Sequence, residues 1–468
     1  MATNESILDK VRASNDGAKD DLGKTVLDHP QSAQRGFEQK TGKETIQLSE
    51  LSSSCSPPSP KDPIVFIFYD AGTTKALEPV MGSLDKKNVK YCIIAFATAK
   101  MLVEKHPHHL DANKMLGVKT VVDRLSWPRE KPLDKDDVDR LQSAIDCNLL
   151  IIGTSSILEA QLAKKLQIKG VRVAAYYDAF QPPPPNDLNR TFIESVDEMI
   201  VPCESVREGF HKLQPSLKVL VLGQPTLDVW RLFSEQFDVE NMRRKLKLFA
   251  KQAVLLYAGG YGEGYEESFR LFLEATKSIK HYKIIIALHP KVDGQTEKRI
   301  MREMGIDDIL LLDKDVTTLE ACLISNIVVT QCSTVGVQAH FIGIPTLYLD
   351  TKKDQYSNIV LEKKRALQVD NVKDFLQALA EAAKEQKLVP LQQLYSEMGV
   401  PFKATDKILQ YLVESLESIQ KLNTRKQQQE NPKAGPPLVF SAGLTAAPLH
   451  LYTTPAAGQS PKISLHSG

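Results

Sequence analysis

ISNIVVTQCSTVGVQAHFIGIPTLYLD, residues 324–350, is the stretch whose reading decides the fold. Ile327, Val328 and Val329 form a short apolar, β-branched run, the pattern of a buried strand. Gln331, Cys332, Ser333 and Thr334 follow. A hydroxyl side chain at a helix start satisfies a backbone N–H that has no partner in the first turn. Residues 335–342 read as that helix. Gly343 ends it, Pro345 bars its return, and residues 346–349 make the next strand. Strand, hydroxyl pair and helix N-terminus together suit an anion, because the free N–H groups and the helix dipole both favour a phosphate. An ordinary capped helix of an α/β protein has the same local signature, so the rest of the chain has to decide.

The alternation extends in both directions. Upstream, buried strands are expected at residues 64–69, 91–96, 119–122, 149–153, 171–177, 198–202 and 217–223, with helices between them. After a helical connector the alternation restarts, with strands expected at 254–258, 282–288, 309–312, 327–329, 346–349 and 365–369. Two successive β-α series predict an α/β protein of two Rossmann-like, doubly wound domains facing a cleft. The expected order is 61–228 for the first domain, 229–250 for the connector, 251–390 for the second domain and 391–421 for closing helices. Residues 1–60, ending in SSSCSPPSPKD, and residues 422–468 lack a hydrophobic period and are expected to be disordered tails.

Composition excludes several functions. Lys and Arg number 59 against 58 Asp and Glu, so no global field draws this chain of 468 residues to nucleic acid or an anionic membrane. The six cysteines contain no CxxC, which argues against a zinc site or a disulfide framework. His106, His108 and His109 cluster in KHPHHL, but no acidic or cysteine partner stands at ligand spacing, so a solvated loop is expected and no metal. No apolar leader opens the sequence, and no run approaches the roughly 18 apolar residues of a membrane span. The expectation is a cytoplasmic protein with no cofactor.

The polar clusters share one address. Asp70, Asp178, Gly259, His289 and Ser333 each follow an expected strand, and open parallel sheets bind ligands outside the carboxyl ends of their strands. That coincidence in both halves points to one cleft.

With those residues in place, the chain resembles the GT-B superfamily of glycosyltransferases and nucleotide-sugar epimerases over about residues 63–420. HPK at 289–291 and Ser333-Thr334 sit as they do in CDP-glycerol glycerophosphotransferases and bacterial polysialyltransferases. The resemblance implies that His289, Lys291, Ser333 and Thr334 bind the donor nucleotide. Gly259 and Gly260 of GGYGEG would let backbone approach it, although that loop is no dinucleotide fingerprint. Where those families carry Glu or Asp for the donor ribose, this chain has Gln338. GTTKALEP at 72–79 resembles the GTGGHxxP loop of the transferase that completes lipid II, with Ala76 in place of its histidine. YYDAF at 176–180 is similar to the HVEAG segment of UDP-N-acetylglucosamine 2-epimerases, and GQPTLD to a turn that closes the first domain.

The resemblance implies metal-independent transfer of a sugar or polyol phosphate from a nucleotide-activated donor to an unidentified acceptor hydroxyl. Asp178 or Asp70 would be the base, with Glu78 next. Two other readings stay open. One is epimerisation or hydrolysis of a UDP-sugar. The other is a non-catalytic protein of the same fold that binds a nucleotide or a partner, which Ala76 and Gln338 favour. Residues 1–58 and 430–468 offer little apolar surface to bury, so a chain lacking both is expected to melt cooperatively within a few degrees of the full-length protein in scanning calorimetry.

Overall fold

The computed structural model describes residues 62–116, 128–289, 292–312, 315–352, 357–384 and 390–430. All lie in one compact unit, Pro57–Gly468. The strand expected at 119–122 and the tail segments 1–60 and 431–468 lie outside the described residues.

Two all-parallel sheets form. The first has seven strands: β1 (Asp62–Phe68), β2 (Tyr91–Ala95), β3 (His109–Leu110), β4 (Cys147–Ile152), β5 (Arg172–Tyr176), β6 (Glu198–Val201) and β7 (Lys218–Val221), in the order β3-β2-β1-β4-β5-β6-β7. The second has six: β8 (Ala253–Ala258), β9 (Tyr282–Ala287), β10 (Leu310–Leu311), β11 (Ile327–Thr330), β12 (Thr346–Leu349) and β13 (Leu367–Val369), in the order β10-β9-β8-β11-β12-β13. Each order reverses direction once, between β1 and β4 in the first sheet and between β8 and β11 in the second. Loops leaving those strands diverge and open a crevice at the switch point.

The strands are apolar throughout because helices cover both faces. Ile64, Phe66 and Phe68 pack one way, against Leu77, Val80 and Met81 of the helix Ala71–Lys86. Val65 and Ile67 point the other way, into a core with Leu158 and Leu162. That second core continues into the other half, through Phe341, Tyr348 and Tyr395. Phe180 and Phe341 stack across it with ring centroids 6.3 Å apart. At the start of the second sheet, buried Arg243 donates to the carbonyls of Ile324 and Phe249, each at 2.9 Å, and to that of Gln252. Such a guanidinium replaces water for three carbonyls at once.

The last helix, Ala404–Glu430, returns to the first sheet. Its Ile408, Leu409, Leu412 and Leu416 cover the Phe66 face. Tyr411 donates to Glu198 at 2.6 Å. Glu198 is 1% exposed and also binds Arg172 and Lys218 at 2.6 and 2.7 Å. Two expectations need correcting here. The helix runs past residue 421, because KLNTRKQQQE is polar but made largely of good helix formers. His109 and Leu110 are an edge strand rather than loop, paired to Ile93 and Ile94. His108 lies beside Asp85 at 3.1 Å and packs on Tyr91, with ring centroids 4.4 Å apart.

Cys92, Cys147, Cys203 and Cys322 are buried free thiols and Cys332 is an exposed one. Among the described residues no helix is long and apolar enough to cross a membrane, and no three acidic, His or Cys side chains group to hold a metal.

One glycine sets how closely the quoted stretch packs. Gly336 lies in the helix Thr334–Phe341, and a Cβ there would stand 2.5 Å from the Tyr348 hydroxyl and 3.0 Å from Thr330 Cγ2. Tyr348 is wholly buried, so it has little room to yield. Gly336→Ala gains helix propensity of up to about 1 kcal/mol but overpacks the core at a cost of about 1–3 kcal/mol. The expected outcome is a net loss of stability, read as a lower urea midpoint with unchanged slope.

Candidate functional site

In the second half the site is built around the β8–β11 switch point. Ser333 has extended backbone and its Oγ accepts from Val335 N at 3.3 Å, so it caps the helix Thr334–Phe341. That helix has no acidic residue in its first turn. The neighbouring helix Tyr265–Thr276 begins with Glu266 and Glu267, which repel an anion. The two helix starts are therefore not equivalent, and the one at Ser333 is the less hostile to an anion. Thr334 and Gln338 are both half-buried. Four residues are about one turn, so they share a face roughly 6 Å apart along the axis.

The glycine loop after β8 is pinned along its length. Gly259 N donates to Ala287 O at 2.8 Å. A Cβ on Gly259 would meet that carbonyl oxygen at 2.9 Å, which explains the residue type. The Tyr265 hydroxyl donates to buried Glu297 at 2.7 Å, and the Tyr265 ring stands 3.2 Å from where a Cβ on Gly260 would lie. Gln331 Nε2 donates to Glu263 O at 3.3 Å, and Lys352 pairs with the Glu263 carboxylate. On the rim, Tyr261 packs against His289 with ring centroids 4.4 Å apart and the rings tilted, and Tyr261 is 50% exposed.

In the first half three carboxylates gather at the ends of β1, β4 and β5. Asp70 caps the helix Ala71–Lys86, accepting from Thr73 N at 3.0 Å. Asp178 follows β5, and its carbonyl accepts from Gln224 Nε2 at 2.7 Å. Both carboxylates lie within 4 Å of the place a Cβ on Gly72 would take, with Asp178 Oδ2 at 2.7 Å. Gly72 itself is exposed, so solvent reaches the pair over a residue with no side chain. Burial and the Asp70 charge push the Asp178 carboxyl up to about 7, against the pull of Arg129.

Glu159 lies beneath them, with no exposed surface. It accepts from Tyr69 N, Ser155 N and Ser156 N, each at 2.9 Å. Burial and Asp70 push its carboxyl up to about 8, opposed by those amides. Gly153 is small for the same reason as Gly72, since a Cβ there would stand 2.5 Å from Glu159 Oε1.

The residues expected from sequence therefore fall into two groups. Gly259, Gly260, His289, Ser333, Thr334 and Gln338 belong to the second sheet's switch point, and Asp70 and Asp178 to the first. Lys291 lies outside the described residues. Glu78 is exposed on the helix Ala71–Lys86 and is not one of the side chains around Gly72. Ala76 is buried in that helix and faces the core. Sequence reasoning passed over Glu159, Gln224, Gln331 and the Tyr265–Glu297 pair. Only Glu159 had a readable signal, the S-x-x-E capping box at 156–159.

No family model matches this chain, and no curated protein matches it in sequence. Solved structures match its fold. UDP-GlcNAc 2-epimerase from Neisseria meningitidis, bound to UDP-GlcNAc, has a TM-score of 0.53 at 14% identity, over 76% of this chain and 100% of that one. The S. aureus MnaA–UDP co-structure has a TM-score of 0.54 at 14% identity, over 75% and 95%. UDP-GlcNAc 2-epimerase from Methanocaldococcus jannaschii has 0.53 at 15%, over 76% and 99%. At these identities the likeness defines the fold, two Rossmann-like α/β domains of the GT-B type.

The site makes a direct prediction. Thr334→Val removes a hydroxyl at nearly constant volume, and His289→Ala removes a ring on the rim. Each is expected to weaken binding of a nucleoside diphosphate by about 1–3 kcal/mol in calorimetry while leaving the melting temperature nearly unchanged. Parental affinity in both variants would move the phosphate elsewhere.

Proposed function

We propose that this chain is an enzyme of nucleotide-activated sugars, holding the nucleoside diphosphate on the second half and carrying its acid–base group on the first. One observation carries the reading: the ligand-type groups of both sheets stand at the topological switch points, a carboxylate pair in one and an acid-free, hydroxyl-capped helix start in the other. Solved proteins of the same fold were crystallised with UDP-GlcNAc and with UDP, which supports a nucleotide as the ligand class.

The leading reaction is transfer to an acceptor hydroxyl. Asp178 takes the hydroxyl proton as the acceptor oxygen bonds to the donor carbon, or to phosphorus for a polyol phosphate. The bond to the leaving phosphate breaks, and its charge falls on the Ser333 helix start. Asp178 suits this role better than Asp70, whose Oδ1 is already engaged with Thr73 N. A carboxyl raised to about 7 is also a stronger base than an ordinary one and is half ionised near neutrality.

The adjacency of two carboxylates favours a second reading, epimerisation of a UDP-sugar, where one group removes a proton and another returns one. Product analysis separates the two. Transfer consumes an acceptor and releases nucleotide, whereas epimerisation yields an isomeric nucleotide-sugar without an acceptor.

Either reading makes Asp178→Asn lose on the order of 10² to 10⁴ in turnover with donor affinity retained. The parent should lose activity as pH falls below about 7, because a base works only when ionised and the raised pKa places protonation there. Parental turnover in the Asn variant, or activity flat across that range, would remove Asp178 from the chemistry.

A further inference from the structure

Gln331 is a buried polar residue beside the glycine loop with an unsatisfied atom. It is 4% exposed. Its Nε2 donates to the Glu263 carbonyl, and that bond fixes which way the amide faces, since a carbonyl oxygen can only accept. Oε1 is thereby turned towards Gly260, 3.7 Å from where a Cβ would stand. No donor meets Oε1 among the described residues. An acceptor held this firmly against a residue without a side chain is the half of a hydrogen bond that a ligand completes.

The position selects which part of the ligand. Gln331 stands two residues before the cap Ser333, on the strand side of the helix start, whereas Gln338 lies a turn inside the helix. We propose that Gln331 is a specificity-determining residue, whose Oε1 accepts from a hydroxyl or amide N–H on the group beyond the diphosphate: the sugar or polyol of the donor. The inference rests on the nucleotide-sugar reading above and deepens it. A nucleotide-sugar is linear, with nucleoside and sugar on opposite sides of the phosphates. With the phosphates on the Ser333 helix start and the ribose at Gln338, the sugar runs towards the glycine loop and Gln331. Gly260 puts no side chain of its own in the way, and the Tyr265 ring, held by its hydroxyl's bond to Glu297, flanks the same place.

The test compares each nucleoside diphosphate with its own conjugate, UDP with UDP-GlcNAc and CDP with CDP-glycerol, by calorimetry on the full chain. Gln331→Met keeps length and removes the acceptor. Gln331→Glu keeps an acceptor facing Gly260 and loses the bond to Glu263. The readout is the ratio of conjugate affinity to diphosphate affinity, which cancels any general loosening of the loop. For the conjugate that the parent prefers, the ratio is expected to fall roughly tenfold in the Met variant and to hold within a few-fold in the Glu variant. A parental ratio in the Met variant, whether or not both affinities drop together, overturns the assignment and leaves Gln331 as a loop tie. A parent that binds neither diphosphates nor conjugates defeats the nucleotide reading itself, and this inference with it.

Discussion

A parallel sheet covered on both faces leaves its polar chemistry only the strand ends, and the whole site follows from that constraint. β1 and β8 are apolar on both sides because helices lie on both sides. A carboxylate in the middle of such a strand would be buried without partners at a cost of several kcal/mol. Each chain segment therefore turns polar as it leaves the sheet: Asp70 after β1, Glu159 beyond β4, Asp178 after β5, the glycine loop after β8, His289 after β9, Ser333 after β11. Glycine makes the crowding possible. Gly72 and Gly153 admit carboxylates in the first half, and Gly259 and Gly336 admit backbone and a tyrosine ring in the second.

Most of the fold was legible because its signal is redundant. Every central strand is a short, largely apolar run, and thirteen strands in two series leave few topologies open. The misread pieces have weak local signals. β3 is a two-residue strand formed from His109 and Leu110, and only its pairing to β2 defines it. The last helix outran its expected end because polarity was read as disorder, whereas Lys, Gln and Arg are content in a helix exposed on all sides.

The site was legible where residue type alone carries meaning, and illegible where meaning depends on a partner far away in sequence. Ser333 announces a cap locally. Glu159 looks like half of a capping box, and its bond to Tyr69 N, 90 positions away, cannot be seen in SSILE. Gln331 reads as one more polar residue before a helix. Its importance lies in an amide orientation set by Glu263, 68 residues earlier. Gln224 is similar, since GQPTLD reads as a turn while its side chain reaches back to Asp178.

The return of the last helix to the first sheet bears on how the protein is made. Ile408, Leu409, Leu412 and Leu416 complete the face formed by Ile64, Phe66 and Phe68. During synthesis the first sheet can pair its strands once residue 221 has emerged, yet the part of this face that the helix Ala71–Lys86 leaves uncovered stays wet until nearly two hundred more residues have been added. The sheet that is translated first is therefore the one that finishes last. Over that interval it exposes aromatic surface of the kind that chaperones bind, and a ribosome stalled in the second half would release a chain whose first half is paired but unsealed.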